Sequence, residues 1–104
     1  EMVNFYCAMA YPGSPLYNNA KEAGLELPKV YSGYSQHSYE TLNLRTENLS
    51  SAEILSFRDK AWHEYHSNPG YLNLVKKKFG LPAVENISDT LKFSLKRRIL
   101  GDWF

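Results

Sequence analysis

A histidine with hydrogen-bonding neighbours is the strongest candidate for chemistry in this sequence. His37 stands in the run YSGYSQHSYE, where serine, glutamine and tyrosine side chains surround it. Such neighbours hold an imidazole in one tautomer, as general acid–base chemistry requires. The same side chains are also suited to holding a loop together. The residue types are therefore compatible with both a proton-transferring role and a structural role for His37.

Two further histidines raise the question of a metal site. His63 and His66 are three residues apart with Glu64 between them, so a helix would place both imidazoles on one face. The spacing is one residue short of that in zinc proteases, and a third ligand would have to come from elsewhere. The pattern favours exposed helix histidines, and we predict no metal ligands in this chain.

Cysteine content and hydropathy restrict the class of protein. Cys7 is the only cysteine, which excludes an internal disulfide or a cysteine-based cluster motif within these 104 residues. Its apolar neighbours favour an inert buried thiol over a nucleophile. A lone cysteine fits a reducing compartment, so we expect a cytoplasmic location. No apolar run approaches the ~18 residues of a membrane span, and we expect no membrane partner.

The charge of the chain is small and unevenly distributed. The net charge is +1, yet residues 76–104 carry 7 basic and 3 acidic side chains, against 5 and 8 in residues 1–75. Lys92, Lys96 and Arg97 form the centre of this basic segment. A solvated helix face explains such a cluster, so nucleic acid is not expected as a partner. The alternative is a self-standing helical interaction module that binds protein or RNA through a basic C-terminal face.

An apolar run and a tight turn precede the histidine loop. Val3–Met9 is rich in β-branched and aromatic residues and predicts a buried strand. In the following YPGSPLY, Gly13 permits a bend, Ser14 is suited to cap a helix and Pro15 to begin it. That short helix would end at Gly24. Because natural domains seldom begin inside a core strand, we expect the chain to be a piece of a longer protein.

The rest of the chain divides into a long loop and three helices. Residues 25–49 lack a helical period and are dense in tyrosine and serine, which favours a functional loop. Capping residues and apolar stripes predict helices from Ser50 to about Ser67, from Asn68–Pro69 to Gly80, and from Pro82 to Gly101. The predicted fold class is mainly α, of α+β origin, with one N-terminal strand and short helix, a long Tyr/His-rich loop and a cluster of three helices.

Five runs of the sequence carry a family resemblance. They are NFYCAMAYPGSPLY, LPKVYSGYSQHSYETLNLRTENLS, ILSFRDKAWHEYHSNPGYL, KKKFG and LKRRIL, and they cover nearly the whole chain. Together they resemble the C-terminal portion of radical SAM proteins of the branch that carries an N-terminal cobalamin-binding domain. The most specific parts are the AMAYPGS turn and the YSQHSYETL loop. Where that pattern has Pro-Leu-Pro-Thr, this chain has Asn43-Leu44-Arg45-Thr46.

The resemblance implies an incomplete (β/α) barrel in which a three-cysteine motif holds a [4Fe–4S] cluster that cleaves S-adenosylmethionine, with cobalamin as a further cofactor. Neither that motif nor a cobalamin-binding domain is present in these residues, so the chain alone should hold no cofactor and no catalytic residue. The parent would be an oxidoreductase or methyltransferase-like enzyme. Residues 1–49 would be the end of its barrel, with the last strand, a short helix and an active-site-facing loop. Residues 50–104 would be a C-terminal helical cluster.

The resemblance also implies where this chain would meet ligands. Barrel active sites lie at the C-terminal ends of the strands, so the turn after Val3–Met9 would form the rim of the S-adenosylmethionine site. Its residues are Tyr11, Pro12, Gly13 and Ser14. The loop that follows would line the substrate cavity through Tyr34, Gln36, His37 and Tyr39. The expected partner is the remainder of the parent chain.

Overall fold

The computed structural model describes residues 2–103. Within that range the chain forms helices α1 (Pro15–Glu22), α2 (Ser51–Ser67), α3 (Pro69–Phe79) and α4 (Leu81–Leu91), with short 3-10 helices at Tyr31–Tyr34 and Arg98–Leu100. No strand is formed among the same residues. The predicted mainly α class is therefore confirmed.

Helix α1 begins and ends at the residues that its sequence predicts. The Ser14 hydroxyl accepts a hydrogen bond from the Tyr17 N–H at 3.1 Å, which satisfies one of the donors left open at a helix start. At the other end Gly24 has a φ of +73°, in the left-handed region that favours glycine. The Leu25 N–H then reaches back to the Ala20 carbonyl at 3.0 Å, the bond that closes a Schellman motif.

The starts of α2 and α3 are likewise set by local side chains. At α2 the Glu53 N–H donates to the Ser50 hydroxyl at 3.1 Å, and the Ser50 N–H donates to the Glu53 carboxylate at 3.3 Å, so the predicted capping box is present. At α3 the Asn68 side chain accepts from the N–H groups of Gly70 and Tyr71 at 2.9 and 3.2 Å. These caps confirm the predicted boundary between the two helices.

The strand predicted at Val3–Met9 is not formed. The segment forms neither helix nor turn, and burial alternates along it with the period of an extended chain: Cys7 and Met9 are buried, whereas Tyr6 and Ala8 are exposed. A strand, however, requires a neighbouring backbone with which to form a ladder. Here the backbone of Cys7 is instead hydrogen-bonded to the side chain of Gln36. The composition of the segment predicted a strand, and the structure instead gives its backbone a side chain as partner.

The third predicted helix is shorter than its apolar stripe suggests. Helix α4 ends at Leu91, whereas the stripe continues to Ile99 and a helix was predicted to Gly101. Arg97 has extended backbone angles, with a φ of −129° and a ψ of 121°, and its side chain is buried. Long-range hydrogen bonds of Arg97 hold this segment away from the helical path, so tertiary contacts override the local period.

Two compact units divide the chain. Residues 2–5 and 59–94 form one, called here the helical unit, and residues 6–58 and 95–103 form the other, called the loop unit. In the helical unit α3 packs on α4, with Val75 and Ile87 buried. In the loop unit Leu55, Leu42 and Met9 are buried. The division into residues 1–49 and 50–104 that the family resemblance implies stays a prediction.

None of the helices between residues 2 and 103 has the length and apolar character needed to cross a bilayer.

Candidate functional site

The loop unit contains the residues singled out for chemistry, and Gln36 is their link to the extended segment. The Cys7 N–H donates to Oε1 of Gln36 at 3.0 Å, and Nε2 of Gln36 donates to the Cys7 carbonyl at 2.9 Å. A side-chain amide has the same donor and acceptor as a peptide group. The side-chain amide of Gln36 thus forms with Cys7 the pair of hydrogen bonds that a residue of a neighbouring strand would form.

Arg97 holds the loop from the other side. Its side chain is 0% exposed. Nη1 of Arg97 donates to the Gln36 carbonyl at 2.8 Å and to the Ser38 carbonyl at 3.0 Å. Hydrogen bonds from a guanidinium are stronger than those between neutral groups. Both peptide carbonyls next to His37 are therefore tied to one buried cation.

A short C-terminal segment reinforces this attachment. The Arg97 N–H donates to the Asp102 carboxylate at 2.9 Å, and the Asp102 N–H donates to the Arg97 carbonyl at 3.1 Å. The Tyr39 hydroxyl donates to the Asp102 carbonyl at 2.8 Å, and the Arg98 N–H donates to the Tyr39 carbonyl at the same distance. Tyr39, predicted to line a cavity, thus joins the loop to the C-terminal segment.

His37 itself is exposed at the surface of the loop unit. Its Nε2 lies 3.3 Å from Nη2 of Arg58, a residue only 7% exposed. A guanidinium nitrogen donates and never accepts, so a hydrogen bond at this contact needs Nε2 of His37 as its acceptor. The Tyr6 ring meets the imidazole edge to face at a centroid distance of 6.4 Å. The structure therefore places His37, Arg58 and Tyr6 together, and the sequence indicated only the first of them.

The predicted rim residues lie beside the loop. The rings of Tyr11 and Tyr34 are tilted against each other with centroids 6.3 Å apart, which brings the turn and the tyrosine loop into contact. Ser14 Oγ donates to the Tyr11 carbonyl at 2.7 Å and also caps α1. The pKa of the Tyr34 phenol is raised, mainly because the phenol is partly buried. The neighbouring phenols of Tyr17 and Tyr31 raise this pKa further.

Two buried oxygens of the loop unit have no hydrogen-bond partner among residues 2–103. They are Oγ1 of Thr41 and Oδ1 of Asn43, in side chains that are 0% and 1% exposed. The Asn43 carbonyl does accept from the Ser51 hydroxyl at 2.7 Å. A buried polar atom without a partner costs about 1–3 kcal/mol. Asn43 is also the first of the four positions at which the chain differs from the pattern that it resembles.

Two cavities open on the loop unit away from His37. One, of about 340 Å³, has charged groups of both signs in its wall: Glu26, Lys29, Glu40 and Arg98. The other, of about 470 Å³, shares Leu42 and Ile99 with it. The residues predicted to line a substrate cavity, Tyr34, Gln36, His37 and Tyr39, line neither of them.

The paired histidines of the helical unit do not behave as predicted. His66 was interpreted as an exposed helix residue, yet it is 0% exposed. Its Nδ1–H donates to the Trp62 carbonyl at 2.8 Å, and its Nε2 accepts from the Val3 N–H at 3.2 Å. Rings of Trp62, Tyr65 and Tyr71 surround it. Within residues 2–103 no group of three or more potential metal-ligating side chains is found.

The residues at the centre of the basic C-terminal segment differ in exposure, since Lys92 and Lys96 are exposed and Arg97 is not, and the alternative function stays a prediction. Arg97 is buried, and Lys92 lies 3.2 Å from the Asp89 carboxylate on the surface of the helical unit. Arg97, Arg58 and Asp102 are the residues of the site that sequence reasoning missed. Arg97 is 61 positions from Gln36, so no spacing pattern connects them.

Comparison of the chain with protein-family models, with curated proteins and with solved structures gave no match.

Proposed function

We propose that this chain is the C-terminal region of a radical SAM enzyme of the branch with an N-terminal cobalamin-binding domain, and that its loop unit forms a wall of the substrate cavity. The sequence runs described above are the first support. The parent enzyme would be an oxidoreductase or methyltransferase-like enzyme of the cytoplasm. The chain would supply neither the cluster ligands nor the radical chemistry, because Cys7 is its only cysteine.

The contact between Gln36 and Cys7 is the observation that carries the proposal. Under the resemblance, Cys7 lies in the last barrel strand and Gln36 in the loop that faces the barrel mouth. The paired bonds of 3.0 and 2.9 Å join these two elements directly. The ring contact between Tyr11 and Tyr34 joins the predicted rim to the same loop. A cavity wall built from a strand end and a folded-back loop needs both connections.

The alternation of burial along the extended segment supports the same assignment. Cys7 and Met9 are buried, while Tyr6 and Ala8 are exposed. A barrel strand presents alternate side chains to its two faces. In the parent we expect the backbone of this segment to pair with a preceding strand of the barrel.

In that arrangement the side chains of this chain would have distinct roles. His37 and Tyr6 would contact the substrate, since both are exposed and lie together. Tyr11 and the turn that ends at Ser14 would lie beside S-adenosylmethionine. Gln36 and Tyr39 would hold the loop. The bound cluster and S-adenosylmethionine would supply the radical chemistry in the parent.

Binding of S-adenosylmethionine separates this proposal from its alternatives. We expect calorimetry to detect binding to the reconstituted parent enzyme and no binding to the 104-residue chain. The parent should also carry a CxxxCxxC motif outside this chain and release 5′-deoxyadenosine under reducing conditions. Tight binding by the chain alone, or a parent without such a motif, would overturn the proposal.

A further inference from the structure

The charged cavity of about 340 Å³ in the loop unit is lined by none of the residues assigned above to a substrate or to S-adenosylmethionine. Its volume is at the lower end of the roughly 300–1,000 Å³ of small-molecule sites. The apolar part of its wall includes Leu42, which is buried, and Ile99. The charged part consists of two cations and two carboxylates, from Lys29, Arg98, Glu26 and Glu40. A ligand that matches this wall is small, partly apolar and charged.

The charged side chains of this wall do not pair with one another. Among residues 2–103 no hydrogen bond or ion pair is found for the side chains of Glu26, Lys29 and Arg98. One oxygen of Glu40, Oε2, accepts from the Ser32 hydroxyl, which leaves Oε1 and the further lone pairs of the carboxylate. Opposite charges that share one cavity without pairing are available to a ligand that carries both signs.

A buried glycine holds three residues of the cavity wall in place. The Leu42 N–H donates to the Gly33 carbonyl at 2.9 Å. A Cβ at Gly33 would stand 2.5 Å from the Cβ of Pro28 and 3.3 Å from the carbonyl oxygen of Glu40, so there is no room for a side chain at this position. Pro28, Glu40 and Leu42 therefore converge on one glycine, and the packing of the chain itself forms the cavity.

We infer that this cavity binds a free α-amino acid with an apolar side chain. The guanidinium of Arg98 binds the carboxylate, since its planar fork matches two carboxylate oxygens. Glu40 binds the ammonium group. The Arg98 N–H donates to the Tyr39 carbonyl at 2.8 Å, so Arg98 and Glu40 extend from neighbouring stretches of backbone, and an α-amino acid carries its two charges on adjacent atoms of one carbon. The apolar side chain lies on Leu42 and Ile99. This assignment does not rest on the proposed function.

Titration of the 104-residue chain with L-leucine, followed by proton–nitrogen NMR, tests the inference. The amide signals of the cavity residues should shift and saturate at millimolar concentrations. Three further ligands each lack one of the recognised parts: L-leucinamide has no carboxylate, N-acetyl-L-leucine has no ammonium group and glycine has no side chain. Each should bind more weakly than L-leucine. The absence of a saturable shift with L-leucine, or equal binding by any of the three, would overturn the inference.

Arg98→Met tests the carboxylate site. The Arg98 side chain is exposed and has no hydrogen bond or ion pair among residues 2–103, so the variant should fold, as circular dichroism checks. It should weaken L-leucine binding by about tenfold or more, because hydrogen bonds to a charged group are lost, and leave L-leucinamide binding unchanged. Lys96→Met is the matched control, since Lys96 is exposed, cationic and outside the cavity wall; it should bind L-leucine as the native chain does. Equal losses in the two variants, or native binding in Arg98→Met, would refute the assignment.

Discussion

The side-chain amide of Gln36 exchanges two hydrogen bonds with the backbone of Cys7, at 3.0 and 2.9 Å. Cys7 is buried, so a hydrogen-bond partner for its peptide N–H and C=O stabilises the fold. The amide therefore satisfies the extended segment where a second strand would do so in a sheet.

Replacing Gln36 with Leu should destabilise the chain by about 2 kcal/mol, because two hydrogen bonds of about 1 kcal/mol each to the backbone of Cys7 are lost. Urea unfolding followed by circular dichroism measures the change. Ser35→Ala is the control; its side chain is exposed, so the free energy of unfolding should change by less than about 0.5 kcal/mol. Equal effects of the two substitutions would contradict a special role for Gln36.

Replacing Thr41 with Val should leave the free energy of unfolding unchanged or raise it by about 1 kcal/mol. The Thr41 hydroxyl is 0% exposed and has no partner among residues 2–103, so its removal relieves a desolvation cost at nearly constant volume. Ser51→Ala is the comparison, since that hydroxyl donates to the Asn43 carbonyl and its loss should cost about 1 kcal/mol. A clear loss of stability in Thr41→Val would mean that a bound water satisfies the hydroxyl.

Replacing His66 with Phe should destabilise the helical unit by about 2 kcal/mol. Phenylalanine fits among aromatic rings, but it can neither accept from the Val3 N–H nor donate to the Trp62 carbonyl. His63→Phe serves as the control, because His63 is only half-buried on the same helix. Thermal unfolding should show a lower midpoint for His66→Phe and an unchanged midpoint for His63→Phe. A gain in stability from His66→Phe would indicate that ring packing outweighs both hydrogen bonds.

The phenol of Tyr34 should make the stability of the chain depend on alkaline pH. Burial raises its pKa in the folded state, so the folded chain retains the proton more strongly than the unfolded chain does. The contribution of the protonated phenol to the free energy of unfolding is fully present below the pKa of about 10 in the unfolded chain. It is lost as the pH rises through the pKa of the folded chain. Tyr34→Phe should reduce this alkaline loss of stability.

Urea unfolding at a series of pH values between about 8 and 11 measures the effect of Tyr34, since that range spans the titration of an ordinary phenol. Tyr6→Phe is the control, because the Tyr6 ring lies against His37 rather than against another tyrosine. The control should retain the alkaline dependence of the native chain. If Tyr34→Phe loses stability at alkaline pH as the native chain does, the Tyr34 phenol contributes nothing to this pH dependence.

The starts of α1, α2 and α3 were predictable because each depends on side chains within three positions. Ser14, Ser50 and Asn68 each cap a helix with a bond to a residue no more than three positions away. Such bonds need no other part of the chain, so their spacing is visible in the sequence. The turn at Gly24 was predictable for the same reason, since its positive φ is a local requirement of the backbone.

The attachments of the candidate site were not predictable in this way. Arg97 belonged to a basic cluster that indicated a solvated helix face, but its guanidinium binds carbonyls 61 and 59 positions away. His66 belonged to a helix face that indicated exposure, but its Nε2 accepts from Val3, 63 positions away. In both cases a polar side chain found buried partners that periodicity does not reveal, and those partners determined where the side chain lies.

The sequence by itself therefore determined the mainly α class, the helix caps and the extended character of the segment around Cys7, because these depend on neighbouring residues. Only the tertiary structure decided that Gln36 replaces a strand, that helix α4 stops at Leu91 and that His37 stands between Arg58 and Arg97. These features depend on hydrogen bonds between residues 21 to 61 positions apart. A buried donor or acceptor must find a partner wherever the folded chain provides one, and that requirement outweighs local preference.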